Sequence, residues 1–389
     1  MNFAVWAYPW DLLDEGVESV ASRLSDAGID EINLATNYHS VQAFLPHNPE
    51  RRTFFARASS YFQPANEYGR LRPVPNEHLQ GDDWIATIAE ELAETPLSLT
   101  SWTIGCHNSR LGMANPDLAL TNAFGDPLVF GLCPSQPDVQ EYLVAVLADL
   151  DERDSFDRIE LESFDYFYGT GFGWHHEKFH TRLGTLGEFL FGLCFCEACR
   201  GTATDAGIDV EEVQTTCRET IDAIVDSELS HDTEPEQWLE EHPSVQEYIE
   251  IRTATLTDLF KRFRETVETT ELGYYVGLLD VERSWIHGAD LESLADPLSY
   301  YTVIAYESDR EVAVDRLRAV EKRTPDIPLH AGVMPSYPAI ENEAALDGLV
   351  DGLAEAGAER ISFYNYGLMT ERNLKWTHNV AARHSERSS

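Results

Sequence analysis

Eight short runs of apolar, β-branched and aromatic residues recur along the 389-residue chain, each closing on polar side chains. They are FAVWAY (3–8), EINLATN (31–37), LSLTSWTI (97–104), RIELESF (158–164), YYVGLLD (274–280), YYTVIAY (300–306), PLHAGVM (328–334) and RISFYNY (360–366). Helical patterns lie between most of them, at 14–27, 83–94, 136–152, 310–323 and 340–356. Gly28 and Gly357 follow two of these patterns where a helix stop belongs. Strands alternating with helices in this number predict a parallel (β/α)8 barrel. The rival, a doubly wound open sheet, usually carries a glycine-rich phosphate loop after its first strand, and YPWDLLDEG stands there instead.

Two spacers exceed ordinary loops. Residues 38–82 and 165–270 are read as insertions, after strands two and four, on the C-terminal face of one domain spanning 1–389. The second holds helical stretches near 207–228 and 243–268, with HDTEPEQWLEEHP (231–243) expected as an exposed joint between them.

Hydrophobic residues make up 43% of the chain, enough for a large core. Asp and Glu total 68 against 28 Lys and Arg, a net charge of -40, and only four of the cations are lysines. Such a surface suits a salt-rich solvent, where the Debye length shrinks to a few Å and hides self-repulsion. Nucleic acid is excluded as a partner, because a phosphate backbone needs a basic face. No run approaches a bilayer span, and the N-terminus MNFAVWAYPWDL has neither a basic region nor a cleavage site. A soluble cytoplasmic protein is expected, in which clustered cysteines favour metal over disulfide.

Three of the six cysteines fall in LCFCEACR (193–200). A C-x-C-x-x-C run supplies three thiolates, and tetrahedral zinc needs a fourth ligand. Cys106 follows strand three and shares a rim with Cys194, Cys196 and Cys199, so it is the expected fourth; Cys133, in a long loop, could also reach. Cys217 reads as core filler. Filled by four sulfurs, such a Zn2+ site is closed and structural.

A cysteine after strand three plus C-x-C-x-x-C after strand four resembles the zinc cluster of family 42 glycoside hydrolases, the β-galactosidases. The resemblance implies a glycosidase-like barrel, a carbohydrate substrate and, since those enzymes often associate, a homo-oligomer. It covers the cysteines and the barrel order. The family's catalytic pair does not transfer: strand four ends E-S-F-D with no Asn before Glu162, and HAGVMPSYP after strand seven holds no carboxylate.

Catalytic side chains of such barrels come from C-terminal strand ends. Alternation along strand four turns Ile159 and Leu161 outward and Glu160 and Glu162 inward. Glu162 is the first catalytic candidate; deeper Glu160 suits a structural role beside a buried Arg. Asp165, Asp280 after strand five and Glu307 after strand six are candidates for the second carboxyl that glycoside cleavage needs. Trp6, Tyr8, Trp174 and Tyr306 offer apolar faces to a sugar, and Asn37, His39, His107, Asn108 and Asn365 offer hydrogen bonds. The glycine- and histidine-rich GTGFGWHHEKFH (169–180) is expected to form a lid. Two rival functions use the same barrel: a metal-dependent sugar isomerase or epimerase with Glu162, Asp280 and Glu307 as ligands, and a non-catalytic carbohydrate-binding protein.

Overall fold

The computed structural model describes residues 1–166, 178–276 and 281–388. Eight parallel strands form a closed barrel: β1 (Asn2–Ala7), β2 (Glu31–Tyr38), β3 (Ser98–Ile104), β4 (Arg158–Glu162), β5 (Glu271–Val276), β6 (Tyr300–Ile304), β7 (Leu329–Val333) and β8 (Arg360–Phe363). β1 pairs with both β2 and β8, which closes the cylinder. Each expected run overlaps its strand, though β5 begins three residues earlier than its run, at Glu271, and the barrel expected from the alternation is the one observed.

The helices that fill the alternation begin on side-chain caps. Asp83, Asp309 and Asn342 accept backbone N–H bonds at the starts of Trp84–Leu92, Arg310–Arg323 and Glu343–Glu355. Gly28 and Gly357 sit at φ 73° and 99°, the left-handed conformation that ends a helix and that a Cβ disfavours.

Three features differ from expectation. Residues 231–243 are not merely an exposed joint: they contain the helix Pro235–Glu241, whose Trp238 and Leu239 are buried, with the Trp238 ring stacked on His242 at 3.9 Å. The apolar pair one turn from a Pro was masked by the acidic residues around it. An unanticipated C-terminal helix, Glu371–Ser388, packs beside Glu343–Glu355. A third long excursion follows β3, where the short helix Ser109–Ala114 leads into an antiparallel hairpin, Ala119–Thr121 with Pro127–Leu132.

Inside the barrel, side chains stack in polar layers. At the N-terminal end Glu31 accepts from Arg360 at 2.6 Å, Arg158 at 2.7 Å and Thr100 at 2.5 Å. Above it Glu160, 1% exposed, accepts from Trp6 Nε1 at 3.1 Å, from Asn33 at 3.5 Å and from the Thr302 hydroxyl. Glycines make room for the large rings of this interior. A Cβ on Gly273 would meet the Tyr300 ring at 2.1 Å, and one on Gly332 would meet Trp6 at 2.9 Å. Glu162 forms the third level and faces the mouth.

Candidate active site and cysteine cluster

Glu162 ends β4 and is half-buried at the floor of the C-terminal mouth. Trp102 Nε1 donates to its Oε2 at 2.5 Å. Burial lifts its carboxyl to about 7; the Trp102 bond opposes this, and the charges of Glu160 and Asp165 add to it. Glu160 is likewise lifted to about 7, by burial first. The buried arginine expected beside it, Arg360, acts on it through its charge but pairs directly with Glu31, one level down, as Arg158 does.

Around Glu162 stand half-buried Tyr275, Tyr306 and Tyr364. The Tyr275 and Tyr306 hydroxyls are 3.0 Å apart, and the Tyr306 and Tyr364 rings lie 5.3 Å apart. Of the residues expected to meet a sugar, Tyr306 lines this floor. Trp6 and Tyr8 lie just beneath it, fully buried, with the Tyr8 hydroxyl 3.2 Å from Tyr38 and 3.4 Å from Tyr364. Asn37 donates to the Ile104 carbonyl at 2.7 Å and to the Tyr142 hydroxyl at 3.2 Å. Asn108 and Asn365 accept from Leu111 and Gly367 N–H groups, caps of short helical turns. His39 and His107 lie together, ring centroids 4.8 Å apart. Burial, and to a lesser extent His39, lower His107 to about 3 and keep it neutral.

The other carboxylates are dispersed. Ser163, directly after Glu162, adopts φ 55° and breaks the strand's alternation. Phe164 consequently packs outward on Phe263, and buried Asp165 accepts from the Tyr274 hydroxyl and lies 3.3 Å from His287 Nδ1. Glu307 is ion-paired with Arg316 at 2.8 Å, and Asp309 caps the following helix. Asp280, Trp174 and most of the expected lid lie outside the described residues. Two residues of the floor were not anticipated, Trp102 and Tyr275. The alternation of β3 and β5, read as it was for β4, points both inward.

The cysteines gather with one exchange. Cys133, Cys194, Cys196 and Cys199 place their sulfurs within 4.8 Å of one another, all buried. Cys133, at the end of the hairpin after β3, stands in the place expected of Cys106. Cys106 is itself buried outside the group, its backbone bonded to Ser163 and Leu132. The hairpin carries the fourth thiol across: Phe195 N donates to Thr121 O at 2.7 Å, and Thr121 N to Cys194 Sγ at 3.3 Å.

Sulfur separations from Cys133 are 3.5 Å to Cys199, 3.6 Å to Cys196 and 3.7 Å to Cys194. A tetrahedron with Zn–S bonds of about 2.3 Å has edges of about 3.8 Å, whereas a disulfide would need about 2.05 Å. The donor set and its geometry therefore fit a divalent metal. Burial pushes the Cys133 thiol up, while Cys133, Cys194 and Cys199 together pull Cys196 down by hydrogen bonding to it.

No protein-family model matches the sequence, and no curated protein is similar enough in sequence to match. In fold the chain is similar to solved β-galactosidases. That of the psychrophilic Marinomonas ef1 superposes with TM-score 0.61 at 11% identity, over 100% of this chain and 60% of the other. That of Bacillus circulans sp. alkalophilus gives 0.61 at 11%, over 99% and 56%. That of Rahnella sp. R3 gives 0.59 at 12%, over 99% and 56%. The chain thus spans about 60% or less of their length, and at these identities the likeness is one of fold: a closed eight-stranded barrel.

Proposed function

We propose that this chain is a glycoside hydrolase that cleaves a glycosidic bond at the barrel mouth, with Glu162 as proton donor. The observation that carries the reading is a half-buried carboxyl, lifted to about 7, on a floor walled by aromatic rings. A carboxyl still protonated near neutrality can hand its proton to a leaving sugar oxygen. Its companion must be ionised, to activate water or attack the anomeric carbon. Glu307, ion-paired with Arg316 after β6, and Asp280, by its place after β5, are the candidates for it. The Tyr275, Tyr306 and Tyr364 hydroxyls would orient the sugar of a small carbohydrate substrate. The fold likeness to β-galactosidases agrees with this reading.

In the same reading Cys133, Cys194, Cys196 and Cys199 hold a structural zinc ion that staples the 165–270 insertion to the hairpin after β3, within a single domain. The acidic, lysine-poor surface is an adaptation to a salt-rich cytoplasm.

The test is hydrolysis of a panel of glycosides in multi-molar KCl by wild type and Glu162→Gln. Loss of roughly 10²–10⁴-fold is expected, greatest for substrates with poor leaving groups, which most need a proton. Turnover within twofold of wild type would refute the assignment. Activity lost on brief chelation and restored by manganese or magnesium would favour the isomerase.

A further inference from the structure

Arg252 is 2% exposed, yet its Nε and Nη1 have no hydrogen-bond partner among the described residues. Its one hydrogen bond, from Nη2 to the Ile286 carbonyl, is long at 3.4 Å. The guanidinium lies over two rings, 4.4 Å from the centroid of Tyr166 and 5.8 Å from that of Phe189. A buried cation without an anion costs several kcal/mol. Cation–π contacts return about 2 kcal/mol when desolvated. Among the described residues no carboxylate pairs with this charge.

Two chains of contact lead from Arg252 to the cysteines. Tyr166, beneath the guanidinium, places its hydroxyl 2.7 Å from Ser135 Oγ, and that oxygen lies 3.2 Å from Cys199 Sγ. Tyr248 lies one turn before Arg252 on the helix Pro243–Thr266 and donates to the Cys194 carbonyl at 2.6 Å. One face of one helix therefore supports the cluster through Tyr248 and carries the cation through Arg252. A divalent ion on four thiolates leaves a net charge of minus two, sealed here in the protein. Backbone N–H groups of Thr121 and Cys196, which donate to Cys194 Sγ, and the N-terminus of helix Glu197–Asp205 offset part of it.

We infer that Arg252 is the internal counter-cation of the four-cysteine metal site, a positioning residue that makes a buried dianionic cluster tolerable. The inference rests on the reading of that site as a metal centre.

The test uses the purified full chain in high KCl as wild type, Arg252→Lys, Arg252→Gln and Arg252→Met. Zinc per chain is measured, then the rate of zinc transfer to a chromophoric chelator, then melting with and without metal. Wild type and Arg252→Lys should hold one zinc and release it slowly, and the two neutral variants should release it at least tenfold faster. Metal-free melting discriminates further. Without the ion the dianionic metal cluster is gone and the cation is a liability, so the neutral variants should melt no lower than wild type. With the ion they should melt lower. Equal release rates, or the same loss of stability with and without metal, would overturn the role and reduce Arg252 to packing. A metal-free wild type would instead sink the metal site, a separate failure.

Discussion

The indole N–H of Trp102 points along the barrel interior onto the Glu162 carboxylate, 2.5 Å from Nε1 to Oε2. Neither residue is near the other in sequence; adjacent strands β3 and β4 bring them together, with Ile104 opposite Glu162 in the register. This bond favours the ionised carboxylate and opposes the burial that keeps it protonated.

Trp102→Phe removes that opposition, so Glu162 should stay protonated to higher pH. For a proton donor, activity falls as pH rises through its value, and the descending limb of the kcat/KM profile should therefore move upward from near 7. An unmoved limb would mean that the profile reports another group.

Glu160 holds its proton up to about 7 in the folded protein, against 4.5 for the unconstrained side chain. Its stabilising contribution is complete below about pH 4.5 and is lost as the pH rises through 7. Glu162 titrates in the same window and direction. Glu160→Gln keeps acceptance from Trp6 and can turn its amide toward the Thr302 hydroxyl. The loss of denaturation free energy between pH 5 and pH 8 should shrink by roughly half, on the order of 2 kcal/mol. Identical slopes in the two proteins would remove Glu160 from the account.

Glu31 is the anion for two strand-borne arginines, Arg158 and Arg360, at the closed end of the barrel. Glu31→Gln leaves Arg360 short of charge in the interior, while Arg158 keeps Glu271 at 2.8 Å, at a cost of about 3 kcal/mol. Guanidinium-chloride unfolding should show this as a lower midpoint. A loss under about 1 kcal/mol would show that solvent reaches this layer.

Cys133→Ser should lower zinc content below one ion per chain and depress the melting temperature, while Cys106→Ser should leave zinc content unchanged. Metal analysis of both variants decides whether the hairpin cysteine is a ligand. Full zinc in Cys133→Ser would exclude it.

The barrel was legible because its signals are local. Each strand run is short, rich in β-branched and aromatic residues and bounded by polar residues, so it stands out from the helices around it. Caps such as Asp83 and stops such as Gly357 mark the helices. Alternation along β4 sufficed to turn Glu160 and Glu162 inward, and the spacing of Cys194, Cys196 and Cys199 sufficed to bring them together. Beyond Glu162 the alternation ends, because a single left-handed residue, Ser163, breaks it just before Phe164 and Asp165. An amide at a strand end, such as Asn37 or Asn108, looks alike in sequence whether it faces a ligand or bonds backbone.

The chain's own order of residues, then, determined eight strands, their helices, one inward carboxylate pair and three of the four clustered thiols. Tertiary structure alone decided that Cys133 replaces Cys106, that Trp102 meets Glu162, and that Glu31 rather than Glu160 takes the buried arginines. The reason is physical: periodicity and capping act between residues a few positions apart, whereas these pairings depend on barrel register and on a hairpin folding back across 61 residues of sequence to reach Cys194.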